Sequence, residues 1–372
     1  MEAMQDRKYQ ALVETLKTNI LSGKYRNGKP FPSVRALIRR HGLSNTTVLH
    51  AMDELVRLGL ISREQGRGTF VTKLGMSRKI GLIVPGVAYS EFFPPIVSRI
   101  SRLAQNEGYV LFFGDISSPD PKLRAEQAEK FAKDLVRHGV SGVIYQPLEF
   151  LSDAERINEN IVSIFDVAHV SVVLLDCDIL MPPQRSIHDV VGINNFDAGF
   201  RLATHLLSVG ARKINFLMRP NWALSVRNRC RGVLHALMTA KVPLSPDRIV
   251  LEADPEDVAA LRRHLRKGRP DAFVCGNDTA AALFKKTLEK VGLRVPDDLL
   301  LAAFDDVRIA PLLTPPLTSV RQPVEEIATT AFRRLVDRME HPELPTTELL
   351  LSAPLVVRAS SLQKRKKGKK NG

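Results

Sequence analysis

Cysteine is scarce in this 372-residue chain, which contains only three. Cys177, Cys230 and Cys275 lie far apart, each inside an apolar or strand-like stretch. An odd number of cysteines at such spacings yields neither a disulfide framework nor a CxxC metal site. Because free cysteine is commonly buried, we expect three packing residues in a reducing compartment and no bound metal.

Membrane and export signals are also missing. No uninterrupted apolar run approaches the roughly 20 residues that span a bilayer. The N-terminal stretch MEAMQDRKYQALVETLKTNI carries charges every few positions and lacks both an apolar signal core and a small-residue cleavage site. The sequence therefore predicts a soluble, cytoplasmic protein with no membrane partner.

Motifs of common enzyme classes are missing as well. The sequence contains no GxSxG elbow, no P-loop and no HExxH pair. We therefore expect no catalytic residue and no cofactor, and predict that the protein is not an enzyme.

Positive charge is abundant but confined to the two ends of the chain. The formal net charge is +14, of which residues 1–79 hold +9, residues 80–357 hold −2 and residues 358–372 hold +7. A basic small domain attached to a near-neutral large one indicates a nucleic-acid-binding module joined to a body that binds something else. We interpret residues 361–372 as a basic disordered tail. A second phosphate contact and a localisation signal remain alternatives for it.

The N-terminal region contains three helical patterns. Apolar residues at helical spacing predict a first helix over residues 6–22. Ser33 and Ser44 are placed as N-caps of two shorter helices, and Gly42 and Gly59 as their ends. Two short helices joined by a tight turn and preceded by a longer one form a helix-turn-helix. The predicted buried positions are Tyr9, Leu12, Val13, Leu16, Ile20, Val34, Leu37, Ile38, Val48, Ala51, Met52, Leu55 and Leu58.

Two strands are predicted after the third helix, at residues 60–63 and 69–72. The loop between them contains Gly66 and Gly68, which allow a backbone to approach a phosphate or enter the minor groove. Arg67 at the loop tip is a cation that the negative potential of a narrow minor groove attracts. We interpret this hairpin as a DNA-contacting wing. The alternative is an ordinary hairpin with an exposed arginine.

Three motifs follow one another in this region: FPSVRAL at 31–37, GLSNTTVLHAMDELVRLGLI at 42–61 and GRGTFV at 66–71. With these motifs, residues 5–72 resemble the winged helix of the GntR family of bacterial regulators. The resemblance implies that Arg35 contacts backbone phosphate. It also implies a set of groove contacts from the third helix and the wing. These are Ser44, Asn45, Thr46, Thr47, Gly66, Arg67 and Gly68.

Two positions differ from many family members, which carry arginine where this chain has Asn45 and Leu49. Guanine reading by arginine is thereby lost at both positions. Asn45 is suited to an adenine edge, and Leu49 either to a thymine methyl or to packing against a neighbouring helix. His50 completes the predicted DNA-contacting set. We expect a double-stranded DNA operator with palindromic half-sites, bound by a homodimer.

From Lys79 onward, short apolar runs alternate with amphipathic helical stretches. Strand after helix after strand predicts parallel βαβ units, and nine runs predict more than one sheet. The runs are residues 80–86, 109–115, 142–147, 170–176, 190–194, 213–218, 248–251, 272–277 and 299–306. Many runs end in polar residues, namely Asp115, Gln146, Asp176, Asn194, Asn277 and Asp305. Each alone is typical of a turn or helix cap, but several converging on one cleft would indicate a ligand site.

Four segments carry a second resemblance: VVGINNFDAGFRLATHLLSVGARKINFLMRP at 190–220, SVRNRCRGV at 225–233, CGNDTAA at 275–281, and LAAFDD followed by PPLTSVRQP up to Pro323. With these segments, residues 79–360 are similar to the periplasmic-binding-protein-like effector domain of LacI-type regulators. The resemblance implies a two-lobed α/β domain with four polar ligand contacts in the cleft between the lobes. These are Asp176, Arg229, Asn277 and Asp305.

The chemistry of this set suits a polyol. Carboxylates and amides exchange hydrogen bonds with vicinal hydroxyls, and a bidentate guanidinium fixes the ligand's orientation. Trp222, the only tryptophan, is suited either to stacking on a sugar ring or to a loop or interface position. Ala253-Asp254-Pro255 stands where some relatives have an aromatic residue, which argues against a second stacking face.

The predicted architecture is an α+β winged helix-turn-helix at residues 1–75, followed by a two-lobed α/β domain with parallel sheets at residues 79–360. We therefore expect a DNA-binding transcriptional repressor controlled by a small, sugar-like effector. The alternatives are a regulator with a purine-like co-repressor, a GntR-type domain fused to an aminotransferase-like enzyme, and a transport protein. The enzyme needs a Schiff-base lysine in a cofactor-binding sequence, which is not evident. A transport role would not explain residues 1–72.

Overall fold

The computed structural model describes most of the chain. The described residues are 2–21, 24–25, 30–57, 60–64, 66–71, 78–84, 86–87, 90–114, 116–243 and 249–362. The predictions made for Leu58, Gly59, Thr72, Asp115 and the tail beyond Leu362 lie outside these ranges.

Three helices and a hairpin form the N-terminal domain. The helices are α1 (Glu2–Leu21), α2 (Val34–His41) and α3 (Asn45–Arg57), and the antiparallel hairpin pairs β1 (Ile61–Glu64) with β2 (Gly68–Val71). The predicted helix-turn-helix and hairpin are therefore confirmed, with both strands displaced by one residue. The core of this domain consists of Leu12, Val13, Leu16, Ile20, Phe31, Leu37, Val48, Ala51, Met52, Leu55, Leu60, Ile61 and Val71.

The predicted start of the first helix was wrong, because α1 begins at Glu2 and not at Asp6. The apolar spacing that located this helix does not extend over residues 2–5. Glu, Ala, Met and Gln occupy these positions, and their intrinsic preference for helix extends α1 by four residues.

Side-chain caps fix the two short helices. The Ser33 hydroxyl accepts a hydrogen bond from the Ala36 amide at 3.2 Å, and the Ser44 hydroxyl accepts one from the Thr47 amide at 3.2 Å. Gly42 ends α2 with φ +64°, a left-handed conformation that glycine adopts without a steric penalty. The turn between α2 and α3 is thereby set by the residues that the sequence indicated.

The strands in the rest of the described chain form two six-stranded sheets. The first sheet has the order β13-β7-β6-β5-β3-β4, and all its neighbouring strands are parallel. Its strands are β3 (Arg78–Ile83), β4 (Tyr109–Phe113), β5 (Gly142–Tyr145), β6 (Ser171–Leu175), β7 (Asp189–Ile193) and β13 (Glu348–Leu351).

The second sheet has the order β14-β12-β11-β10-β8-β9, in which only β14 runs antiparallel. Its strands are β8 (Ile214–Met218), β9 (Val250–Glu252), β10 (Ala272–Cys275), β11 (Leu300–Asp305), β12 (Thr318–Arg321) and β14 (Leu355–Val356). All nine apolar runs identified in the sequence form strands, and the prediction of more than one parallel sheet is confirmed.

Helices pack on both sheets to complete two lobes. The first lobe contains α4 (Phe93–Asn106), α5 (Pro121–Arg137), α6 (Ala154–Val167) and α12 (Val324–Glu340). The second lobe contains α7 (Asn195–Ser208), α8 (Leu224–Thr239), α9 (Val258–Leu265), α10 (Asp278–Lys290) and α11 (Ile309–Leu312). The chain passes between the lobes after β7, after β12 and between β13 and β14, so three crossover segments connect them.

Cys177, Cys230 and Cys275 are buried and unbridged, as predicted. None of the helices in the described ranges combines the length and the apolar character needed to span a bilayer.

Candidate functional site

A cavity of about 680 Å³ lies between the two lobes. Parallel strands of both sheets end at this cavity, as expected for ligand sites in open α/β sheets. All five residues proposed from the sequence as effector contacts line it: Asp176, Trp222, Arg229, Asn277 and Asp305. The residues approach from β6, β10, β11 and the start of α8, so the fold brings together positions that are up to 129 apart in sequence.

Arg229 is the central cation of the cleft and is only 3% exposed. Its Nε donates to Asn195 Oδ1 at 2.8 Å, and its Nη1 donates to the Gly276 carbonyl at 2.8 Å and to Asp305 Oδ1 at 3.2 Å. The guanidinium also stands 4.8 Å from the centroid of the Phe304 ring. These contacts hold the side chain in one orientation, so it is preorganised for a ligand.

Positive φ angles at the ends of two strands turn acidic side chains into position. Asp176 has φ +71°, Asp305 has φ +102° and Asp306 has φ +50°. Non-glycine residues held there cost about 1–3 kcal/mol each and cluster at functional sites. The strained turn lets Asp305 contact Arg229 while Asp306 pairs with Arg321 at 2.7 Å.

Asn277 has two roles. Its Oδ1 accepts a hydrogen bond from the Ala280 amide at 2.8 Å, which makes it the N-cap of α10, and the same residue lines the cleft. The cap uses the oxygen only, so the amide NH₂ group remains a donor for a ligand. Asn194, by contrast, caps α7 and lines a different pocket, so it is a helix cap outside this cleft.

Trp222 is buried where the two lobes meet. Its ring centroid lies 6.0 Å from that of Phe150 in the first lobe, and the Phe150 amide donates to the Asn221 carbonyl at 2.6 Å. Ala223 donates its amide proton to Glu149 Oε2 at 3.2 Å. These contacts bridge the mouth of the cleft, so the lobes are closed against each other here.

Several cleft residues were not selected from the sequence as effector contacts. They include Arg124, Gln146, Glu149, Phe150, Arg219, Ser225, Asp254 and Gln322. Gln146 was noted as a polar strand end, and Glu149 follows it by three residues in the same loop. Gln322 ends the segment PPLTSVRQ, and its Nε2 donates to Asp305 Oδ1 at 2.7 Å.

Burial changes the acid–base properties of two cleft carboxyls. Burial raises the pKa of Glu149 to about 7, the nearby Asp176 adds to this, and Arg124 and Arg229 oppose it. The pKa of Asp176 is also raised by burial, against the attraction of Arg229 and a hydrogen bond from Ser225. Both carboxyls therefore hold their protons more strongly than exposed acids do.

The second candidate surface is the N-terminal end of α3. Ser44, Asn45, Thr46 and His50 are exposed there, Arg35 is exposed on α2, and Leu49 is partly buried. Thr47 is different, since it is only 6% exposed and its hydroxyl lies 2.7 Å from the Ser44 hydroxyl. Thr47 therefore belongs to the cap of α3, and its side chain is buried at the position where the GntR resemblance implied a groove contact.

The hairpin loop carries the remaining candidates. Gly66 has φ +78° and Gly68 has φ +120°, conformations that disfavour any other residue. The Arg67 side chain is 78% exposed and pairs with Glu64 at 2.8 Å. The tip is therefore narrow and exposes its cation.

Two family profiles match the chain. Residues 8–71 match the bacterial regulatory proteins of the gntR family, and residues 203–361 match the periplasmic binding protein-like domain. The chain joins a GntR-type DNA-binding domain to a periplasmic binding protein-like domain. Both parts of the architecture expected from the sequence are thereby confirmed.

Two curated repressors and a solved regulator structure are similar to most of the chain. The arabinose metabolism transcriptional repressor of Geobacillus stearothermophilus is 26% identical over 366 residues, which are 95% of this chain and 97% of the relative. The HTH-type transcriptional repressor PurR of Mannheimia succiniciproducens is 23% identical, over 88% of this chain and 98% of the relative. A solved LacI family transcriptional regulator from Enterococcus faecium with bound ribose is 24% identical, has a TM-score of 0.61, and covers 77% of this chain and 100% of its own. The chain is accordingly similar to transcriptional repressors over most of its length.

Removing the charge of Asp305 is expected to destabilise the second lobe. Asp305→Asn retains a side chain that tolerates positive φ but leaves Arg229 without its counter-charge, and breaking a buried pair costs about 3 kcal/mol. Denaturant unfolding of the full chain measures this cost. The control is Glu129→Gln, which breaks the exposed Lys133 pair at 2.6 Å and should cost under about 1 kcal/mol. Equal costs for the two variants would show that the Arg229–Asp305 pair has no structural role.

Proposed function

We propose that the protein is a transcriptional repressor that binds operator DNA as a homodimer and releases it when a sugar-like effector occupies the interlobe cleft. The observation that carries the proposal is the convergence of Asp176, Trp222, Arg229, Asn277 and Asp305 on one cavity, in a chain that also carries an exposed winged helix. A DNA-binding domain and a ligand-binding domain in one polypeptide provide the two sites that ligand-controlled DNA binding requires.

On the DNA side, α3 enters the major groove by its N-terminal end. Ser44, Asn45, Thr46 and His50 face the bases, with Leu49 beside them and Thr47 supporting the cap. Asn45 is suited to a bidentate contact with adenine. Arg35 contacts a phosphate, and Gly66, Arg67 and Gly68 approach the adjacent minor groove. Two such domains in a dimer read palindromic half-sites.

On the ligand side, the cleft offers the groups that bind vicinal hydroxyls. Asp176 and Asp305 accept hydrogen bonds, Asn277 donates and accepts, and Arg229 is held in a fixed orientation by its neighbours. Trp222 supplies an apolar wall beside Phe150. The arabinose repressor and the ribose-bound regulator, both similar to this chain, support a sugar as the effector class.

A second candidate is a purine-like co-repressor. The similarity to PurR repressors favours it, and the Phe150–Trp222 wall is suited to a flat aromatic base as well as to a sugar ring. The two candidates differ in the sign of coupling, because a co-repressor strengthens DNA binding and an inducer weakens it.

The mechanism follows from three crossover segments that join two closed lobes. Effector contacts on both lobes favour one relative orientation, and the crossovers act as the hinge. Because half-sites have a fixed spacing on the duplex, a rotation between lobes of a dimer misaligns one winged helix with its groove. An effector that weakens DNA binding tenfold is itself bound tenfold more weakly by the DNA complex, a coupling of about 1.4 kcal/mol.

The test is a DNA titration with and without effector. An operator is first selected from a randomised duplex pool, and sugars and purines are screened by thermal shift, since a ligand at 100 times its Kd stabilises by about 2.7 kcal/mol. We expect a palindromic operator and at least tenfold weaker binding with the sugar that gives the largest shift. Tighter binding with a ligand would overturn the inducer model, and an unchanged affinity would remove the coupling altogether.

A further inference from the structure

The cationic groups of the cleft are already engaged by the protein. Arg229 donates to Asn195, Gly276 and Asp305, as described above, and Arg219 pairs with Asp254 at 2.8 Å. The Arg124 guanidinium donates to the backbone carbonyls of Ser118 and Glu149, each at 3.1 Å. An anionic ligand group would therefore compete with acceptors that the protein already supplies to these cations.

Two hydrogen-bond acceptors of the cleft are, in contrast, unused. Gln146 and Gln322 are 3% and 4% exposed, and the Oε1 atom of each is buried without a hydrogen-bond partner among the described residues. Both residues line the cavity. Leaving a buried acceptor unpaired costs about 1–3 kcal/mol of stability. A ligand that donates hydrogen bonds to these two oxygens would remove this cost.

Two carboxylates of the first lobe lack a paired cation. Among the described residues, neither Asp176 nor Glu149 takes part in an ion pair. Asp176 accepts a hydrogen bond from Ser225, and Glu149 accepts one from the Ala223 amide. Both acids line the cavity, and they repel each other, because the charge of Asp176 raises the pKa of Glu149. The charged side chains that line the cavity are five acids and three arginines.

We propose that the effector is a cationic polyol, a sugar-like molecule whose ammonium group lies at the Glu149–Asp176 corner and whose hydroxyls donate to Gln146 and Gln322. The inference rests on the proposed function, because it assigns a ligand class to the same cleft. An ammonium group has three donors and no acceptor, so it satisfies both carboxylates at once. A neutral sugar adds no positive charge to the attraction that Arg124 and Arg229 already exert on these carboxyls, and a phosphate or carboxylate ligand adds a further negative charge.

If the effector is cationic, its binding should release a proton from Glu149. Burial and Asp176 hold the pKa of Glu149 at about 7, while Arg124, Arg229 and the Ala223 amide favour its ionised form. A bound ammonium group stabilises the ionised form further and expels the proton. Below the pKa of the free protein, affinity for a cationic ligand then rises with pH, by up to about tenfold per pH unit. A neutral sugar produces no such rise.

The experiment uses a matched ligand set on the full chain at pH 7. D-Glucosamine, D-glucose, N-acetyl-D-glucosamine, D-glucose 6-phosphate and the corresponding galactose compounds are compared by thermal shift and calorimetry, with hypoxanthine as the purine probe. We expect an amine to bind at least tenfold more tightly than its neutral and anionic counterparts, with proton release and an affinity that rises between about pH 5.5 and 7. Tightest binding by a neutral, anionic or purine probe, or no shift with any amine, would overturn the proposal.

Two substitutions that replace a carboxylate with a neutral amide locate the contact with the ammonium group. Glu149→Gln and Asp176→Asn keep hydrogen-bond acceptors but remove the charges, so each should abolish the amine preference, and Glu149→Gln should also remove the pH dependence. Glu155→Gln, on the exposed first turn of α6, is the matched control and should change neither. An amine preference that survives both cleft substitutions would contradict the assigned corner. If a neutral sugar binds the cleft more tightly than the amines and causes release of DNA, this inference is refuted but the proposed function stands. If an amine binds the cleft without changing DNA affinity, the ligand class stands but the proposed function is refuted.

Discussion

Gly232→Ala is expected to destabilise the second lobe strongly. Helices α7 and α8 cross with their backbones in contact, and a Cβ at position 232 would lie 2.0 Å from the Phe196 carbonyl oxygen and 2.8 Å from the Phe200 nitrogen. Alanine favours helix over glycine by about 1 kcal/mol, but the obstructing atoms belong to a backbone and cannot rotate away. Overpacking of a rigid core costs about 1–3 kcal/mol and occasionally more, so we expect a net loss of about 2 kcal/mol.

Gly199 forms the other half of the crossing, because a Cβ there would lie 2.0 Å from the carbonyl oxygen of Arg229. Gly199→Ala should therefore move the effector-binding arginine as well as lower the melting temperature, by about 2–4 °C per kcal/mol. Fluorescence of Trp222, the only tryptophan, reports unfolding of this part of the chain. Gly81→Ala is the control, since its Cβ would meet the end of the Leu135 side chain, which is able to rotate. A control as destabilising as the helix variants would show that close backbone approach is not the cause.

The same crossing shows what the sequence revealed and what it did not. Gly199 and Gly232 lie between predicted strands, where the sequence predicts helical stretches without fixing their bounds. A single sequence gives no sign that the two helices face each other. Nine strands were located because each is a short apolar run between amphipathic helices. Strands β12, β13 and β14 were missed, because they are short, contain polar residues or adjoin prolines, and form only by pairing with strands far away in the chain.

Some candidate site residues could also be found from the sequence, and others could not. Asp176, Asn277 and Asp305 end apolar runs, which marks them as polar strand ends. Asp115, Gln146 and Asn194 carry the same mark, and only the resemblance to LacI-type regulators implied which strand ends contact a ligand. Glu149 and Gln322 have no such marker. Their importance arises from burial without a partner and from the approach of two lobes, which are tertiary properties. Thr47 lies within the motif that resembles the GntR family, but its side chain is used by the cap of α3, which sequence spacing alone does not reveal.

Operator binding is expected to be the property most sensitive to salt. Residues 1–79 carry a formal charge of +9, and a dimer that makes about 6–10 phosphate contacts should lose roughly 10³–10⁵ in affinity between 50 and 200 mM salt. Arg35 and Arg67 are exposed, the first on α2 and the second in the hairpin loop. Arg67→Ala and Arg35→Ala should each remove two phosphate-type contacts per dimer and lower the slope of log affinity against log salt by about 2.

Arg67 has a competitor for DNA within its own hairpin, because Glu64 pairs with it at 2.8 Å. DNA must displace this carboxylate, so Glu64→Gln should bind the selected operator more tightly than the parent chain, most of all at low salt where exposed charges interact strongly. Arg262→Ala, which removes an exposed arginine from α9 in the second lobe, is the control and should leave affinity and slope unchanged. Fluorescence anisotropy over a salt series measures all four variants. If Arg262→Ala lowered the slope as much as Arg67→Ala, or if the parent affinity did not depend on salt, the assigned DNA-contacting surface would be wrong.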